Sequence, residues 1–260
     1  FDRTMDDVVQ IGWVQHPFVA GRFPLTEIAG LPFTSDDNVK CSAALWRLYK
    51  SGVVDAEYKD VVPLWFGCLG QSGVHFAKTP ASNNEFPGLK FRVNGKAPSQ
   101  IVELFGGTPI SMAAENMYES LQRGTIDGLI TSWSAFEPYK LQEVTAYHIE
   151  APLGATPSMF FMARKKFDAL PEAAKKALMD HAGEATTEAF GKHIAEQGLR
   201  ARDPVMKSDK HKLVELTAEQ TKTWEARTEP VRTAWAKERA GGDKAIETYR
   251  SIYSQLKAGR

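Results

Sequence analysis

Between Gly88 and Trp133 the hydrophobic pattern switches repeatedly between strand and helix spacing. Leu89, Phe91 and Val93 alternate with Lys90 and Arg92, which predicts a strand with one buried face and aims Arg92 away from the apolar layer. Pro98 suits the first turn of a helix that stops at Gly106-Gly107, and Thr108-Pro109-Ile110 leads into the next strand. Met117 and Leu121 fall at i and i+4 of a second helix, Glu115 to Arg123, and a third strand ends at Thr131. Strands alternating with helices in this order predict a parallel sheet, whose ligands lie outside the carboxyl ends of the strands. Arg92 and Trp133 both fall at such ends.

The same spacing arguments extend along the chain. Val8 to Val14 predicts a strand, and Ser35 or Asp36 can cap a helix reaching about Tyr49, which Gly52 ends. Val61 to Cys68 is apolar on both faces and predicts a central strand. Thr79 to Pro87 is a polar loop, and Pro157 to Ala163 an apolar strand. Pro171 opens a helix predicted to run to about Gln197. Thr217 and Gln220 make a capping-box pattern before Trp224, Val231 and Trp235, with Pro230 expected to bend that helix. Asp243 can cap a last helix with one apolar stripe, Ile246, Tyr249, Ile252, Tyr253 and Leu256.

Composition narrows the function classes. Thirty-two basic residues balance 32 acidic ones, without the basic excess of a nucleic-acid binder. No apolar run approaches the roughly 18 residues that a membrane span needs. The two cysteines, Cys41 and Cys68, read as buried free thiols. Catalytic signatures fall short. Gly70-Gln71-Ser72-Gly73 is one residue short of a nucleophile elbow, Gly88 to Lys96 has the wrong spacing for a phosphate loop, and the six histidines are dispersed without zinc-site spacing. No cofactor, metal ligand or catalytic residue is assigned. Arg92 carries the strongest chemistry, because a guanidinium donates two parallel hydrogen bonds to a carboxylate.

The ordered set Gly88-Leu89-Lys90-Phe91-Arg92, Gly106-Gly107-Thr108-Pro109 and Gly124-Thr125-Ile126-Asp127-Gly128 resembles the solute-binding proteins of tripartite ATP-independent periplasmic (TRAP) transporters. Gly21-Arg22-Phe23-Pro24, Leu31-Pro32-Phe33, Ala44 to Tyr49, Tyr147-His148, Lys166 to Pro171, Trp235 and Gly241-Gly242-Asp243 extend that likeness over nearly the whole chain. The resemblance implies an α/β, two-lobe periplasmic-binding-protein-like (type II) fold with the ligand cleft between the lobes. It implies a lobe I of residues 1–72 with 157–200, and a lobe II of 73–156 with 201–260. The crossings would fall near Gly73 to Phe76 and Glu150 to Pro152. The Val9–Val14 strand matches one that in the family follows an opening strand-helix-strand unit, so that unit is expected to be missing here.

The implied function is extracytoplasmic capture of an organic acid and its delivery, in the periplasm, to TRAP membrane subunits, with no membrane insertion and no nucleic-acid partner. Arg92 would pair with the ligand carboxylate. Trp133 and Phe136 follow the third strand and would hold an apolar body, while Thr131 stands where sugar-acid binders carry Asn. Gln15, His16 and Phe18 follow the first strand, and His16 could donate to a ligand oxygen. Met112 is a candidate wall residue. Phe160 and Phe161 point to opposite faces of their strand, one to the cleft and one to the core; alternation does not choose between them, and Phe160 is carried as the candidate for the cleft. The expected ligand is an aromatic or branched monocarboxylate. An enzyme on the same scaffold or a ligand-sensing domain are the alternatives. The first needs an acid–base pair or nucleophile in the cleft, the second a signalling segment.

Overall fold

The computed structural model describes residues 1–19 and 21–259. Its strands are β1 (Gly12–Gln15), β2 (Val61–Phe76), β3 (Lys90–Val93), β4 (Thr108–Ser111), β5 (Gly128–Ser132), β6 (Tyr147–Glu150), β7 (Ala155–Ala163) and β8 (Lys212–Glu215). Its α-helices are α1 (Asp2–Met5), α2 (Asn38–Lys50), α3 (Lys96–Leu104), α4 (Met117–Gln122), α5 (Phe136–Tyr139), α6 (Arg164–Asp168), α7 (Glu172–Asp180), α8 (Glu184–Met206), α9 (Ala218–Lys237) and α10 (Gly242–Lys257).

One strand organises both halves. β2 is 16 residues long, twice the stretch expected from the apolar run. Its first part pairs with β7, which pairs with β1, and this sheet is antiparallel. From Ser72 onward β2 pairs instead with β5 and β6, while β3 joins β4 and β5 in parallel. The polypeptide therefore builds an α/β lobe around each half of β2. The changeover is irregular: the register slips between Leu69 and Gln71, and Gly70 sits there at φ 51°. A Cβ at Gly70 would lie 2.6 Å from the Cβ of Ser132, so glycine lets the two strands meet at the cleft floor.

Several boundaries differ from the sequence reading. β1 begins at Gly12 because only residues 12–15 find partners on β7; Val8, Val9 and Ile11 are exposed and unpaired in any ladder. Asp37, rather than Ser35 or Asp36, caps α2 by accepting from the Lys40 amide. The helix expected from Pro171 to Gln197 is two helices, interrupted at Gly183 with φ 97°. The capping box at Thr217 and Gln220 forms as its spacing predicts.

α9 ties the two lobes together. Its start is anchored in lobe II, where Trp224 packs on Phe105 and donates to Asn84. Its second half reaches lobe I, where Arg232 donates to the Pro32 carbonyl and Arg239 to the Pro24 carbonyl. α10 packs on α2, with the Tyr253 hydroxyl donating to Asp36 and Lys257 paired with the same carboxylate. The assignment of residues 201–260 to lobe II therefore needs correction. Tyr249 and Tyr253 of the apolar stripe are buried against lobe I, which draws α10 there.

The two cysteines are corrected too. Cys41 on α2 and Cys68 on β2 form a disulfide, their Cα atoms 5.9 Å apart. It pins the first outer helix to the shared strand. The 27-residue separation gives a crosslink worth about 3–4 kcal/mol by loop-closure entropy. Urea unfolding with and without a thiol reductant should show that loss, as a lower midpoint in the reduced protein. Identical midpoints, with reduction verified by mass, would contradict a stabilising crosslink.

Candidate functional site

A cleft of about 740 Å³ lies between the lobes. Its lobe II wall comes from strand ends: Arg92 on β3, Met112 just past β4, and Thr131 and Ser132 on β5. Its lobe I wall comes from Gln15 at the end of β1, from Pro17 and Phe18 just after it, and from the start of β7. Ser72 and Leu69 of β2 form the floor, and Trp235, Glu238 and Arg239 of the α9 end close one side. The polypeptide returns to lobe I through Gly154, at φ 105°, where a Cβ would fall 2.3 Å from the Gly30 carbonyl oxygen.

Arg92 dominates the electrostatics. It is only 7% exposed, although the alternation on β3 places it opposite Phe91 and Val93. Both faces of this strand are therefore covered, where one was expected. Its Nε donates to the Met112 carbonyl at 3.2 Å, and no carboxylate among the described residues is in ion-pair contact with it. Burial lowers its guanidinium from the ordinary arginine value, while Tyr139 and Glu115 act in the opposite direction. It stays charged at neutral pH, since arginine does not deprotonate in proteins.

The other cations of the cleft are already neutralised. Lys96 Nζ lies 2.6 Å from a Glu238 carboxylate oxygen, and Arg239 meets Glu27 at 3.3 Å. Burial raises the Glu27 carboxyl from its usual range, and Arg239 opposes that shift. One buried guanidinium is thus left with donors to spare.

The predicted residues divide between cleft and core. Arg92, Thr131, Gln15, Phe18 and Met112 all line the cleft, with Phe18 64% exposed. Trp133, His16, Phe136 and Phe160 do not. Ser132 and Ser134 face the cleft, so Trp133 between them turns the other way. Its indole N–H donates to Glu150 at 2.9 Å, and its ring packs on His75, His148 and Phe136. Phe136 is buried in the small core of lobe II. His16 is fully buried among Phe23, Tyr58 and Phe66, and neither ring nitrogen has a hydrogen-bond partner among the described residues. Phe160 stacks on Trp65 at 4.4 Å and meets Phe190 of α8, while Phe161 stacks on Phe1. Both faces of β7 are covered at that point, so neither phenylalanine reaches the cleft; only the Ala155–Pro157 end does.

Ser72, Asn94, Ser134, Tyr139 and Trp235 line the cleft without having been expected as ligand-binding residues. Asn94 directly follows β3 and was accessible from the strand-end rule. Trp235 was not, because its place depends on how α9 crosses between the lobes.

The family model for bacterial extracellular solute-binding protein, family 7 (DctP), matches residues 1–238. The chain belongs to this family. The C4-dicarboxylate-binding periplasmic protein DctP of Rhodobacter capsulatus is 29% identical over 171 residues, 64% of this chain and 50% of its own length. A Chromohalobacter salexigens solute-binding protein is matched over 43% of its length, so the chain spans about half of these relatives. Among solved structures, a marine-metagenome TRAP solute-binding protein specific for aromatic acids, crystallised with 3-hydroxybenzoate, is 25% identical with TM-score 0.87. The match covers 98% of this chain and 82% of that one. A TRAP periplasmic solute-binding protein of Bordetella bronchiseptica with bound mandelate is 25% identical, TM-score 0.83, over 98% and 83% of the two chains. The solved relatives share the two-lobe fold.

The buried histidines give a pH prediction. Burial pushes the His16 and His75 imidazoles down to about 3, and lowers His148 as well. In the unfolded chain these rings take up protons near pH 6.5, while the folded protein refuses them. The stability they contribute is therefore complete above about pH 6.5 and lost as the pH falls. Each ring adds a slope of about 1.4 kcal/mol per pH unit below that point. Urea midpoints at pH 7.5, 6 and 5 should decrease in that order, and a midpoint constant down to pH 5 would contradict the buried neutral rings.

Proposed function

We propose that this protein captures a monocarboxylate with an aromatic or branched body in the periplasm and delivers it to TRAP-type membrane subunits without a covalent step. The observation that carries this reading is the lone charge of Arg92. Lys96 and Arg239 have internal carboxylate partners, so among the described residues the cleft can neutralise one ligand anion and has no second free cation for a dicarboxylate. Phe18, Tyr139 and Trp235, with Leu31, Met112 and Leu153, supply apolar contact for the ligand body. The aromatic acids bound by the 25%-identical relatives support the same class.

Arg92→Ala removes the paired donors and leaves a buried ligand carboxylate without its counter-charge, which costs on the order of 3–5 kcal/mol, or more than a hundredfold in affinity. Arg92→Lys should also bind poorly, because a point charge lacks the planar fork. Neither change should unfold the protein, since Phe91 and Val93 carry the strand's packing. Calorimetry with benzoate, together with melting of the ligand-free variants, checks this. Near-normal affinity in folded Arg92→Ala would show that another group holds the carboxylate. Turnover of benzoate by the purified protein would contradict a binding-only role.

Benzoate should bind more tightly than gluconate. A polyol-rich acid would leave hydroxyls against apolar walls, at about 1–3 kcal/mol for each unpaired buried group. Tighter binding of gluconate in matched titrations would overturn the assigned ligand class.

A further inference from the structure

Behind the cleft, on the far side of β5, three imidazoles are hydrogen-bonded in series. His75 of β2 places Nε2 3.1 Å from the Thr131 carbonyl oxygen. Its Nδ1 lies 3.0 Å from His148 Nδ1, on β6, and His148 Nε2 lies 3.0 Å from His211 Nδ1, just before β8. His75 and His148 are fully buried, and His211 is half-buried at the protein surface. Among the described residues no cluster has the ligands to hold a metal ion, and four of the six ring nitrogens are used between the rings and a fifth on the Thr131 carbonyl.

We propose that His75, His148 and His211 form an oriented relay that positions the ligand-facing end of β5, making His211 a remote positioning residue for the cleft. This rests on the cleft's being the ligand site.

The direction of the relay follows from one atom. A carbonyl oxygen only accepts, so His75 carries its proton on Nε2 and donates to Thr131. A neutral His75 then has a bare Nδ1, which accepts from His148 Nδ1–H. His148 Nε2 is bare in turn and accepts from His211 Nδ1–H. Burial keeps the inner rings neutral, and Lys210 beside His211 also disfavours its protonation. Two of the three rings are thereby held as the Nδ1–H tautomer.

The surroundings explain what the relay needs. Trp133 and Phe136 pack edge-on or tilted against His75 and His148 and exclude water from them. Trp133 is held by Glu150, which also accepts two hydrogen bonds from Arg202 of α8. Glu215 and Asp203 complete the charged groups around Arg202, and Lys212 lies over Tyr147 beside the outer end. The segment carrying Thr131, Ser132 and Ser134 is thus fixed from behind at two points, the Thr131 carbonyl and the Trp133 indole.

The test is nitrogen-15 NMR of the imidazoles in the ligand-free protein at pH 7.5. The expected protons are Nε2–H on His75 and Nδ1–H on His148 and His211. His211→Asp puts an acceptor where the relay needs a donor. It should drive His148 to Nε2–H, move the His75 proton to Nδ1, break the bond to Thr131 and shift the Thr131–Ser134 amide signals. His211→Asn retains an N–H donor at similar reach and should keep the wild-type tautomers. Benzoate affinity should fall roughly fivefold in His211→Asp, about the size of one neutral hydrogen bond, and recover in His211→Asn. A wild-type His148 protonated on Nε2 would overturn the relay, as would unmoved His75 and Thr131–Ser134 signals in His211→Asp. Failure of the wild type to bind benzoate counts against the carboxylate reading alone, because the signals of the ligand-free protein decide the relay.

Discussion

A guanidinium taken out of water without a counter-ion destabilises the protein that holds it, and the two-lobe arrangement makes sense around that cost. Arg92 donates to the Met112 carbonyl, and among the described residues its remaining donors meet no carboxylate. The surrounding cations have been removed from competition by Glu238 and Glu27. In the proposed function, an anion bound between the lobes would relieve the unpaired charge, and ligand affinity and lobe closure would draw on the same interaction.

That interaction depends on the shared strand. β2 supplies one sheet to each lobe and changes partners at Gly70, beside Ser132 of the cleft wall. Small torsional changes at such a crossing move whole lobes. The disulfide fixes the lobe I half of β2 to α2, while the imidazole relay backs its lobe II half. The crosslink and the hydrogen-bonded imidazoles therefore sit on either side of the changeover at Gly70.

The sequence revealed the parallel βαβ segment well, because its strands and helices are short, amphipathic and bounded by glycine. Strand alternation together with the family resemblance also pointed to Arg92, which lines the cleft. It misled where a residue follows a strand and chain direction alone must choose a side. Trp133 turned from the cleft because its indole N–H finds Glu150 and its ring finds two imidazoles. His16 turned into an aromatic core between two residues that face the cleft. The disulfide was invisible because 27 residues of spacing do not say that α2 lies on β2. Trp235 and the α10 packing were beyond reach for the same reason: both depend on where α9 crosses.

The most direct measurement compares an acid with its own amide. Benzoate and benzamide share the ring and nearly the same shape, but only benzoate carries the charge that Arg92 lacks. In a thermal-shift titration, benzoate at about a hundred times its dissociation constant should add roughly 2.7 kcal/mol of stability. Benzamide at the same concentration should add almost none. Equal stabilisation by the two would contradict the account, because the cleft would then be reading shape without using its unpaired charge.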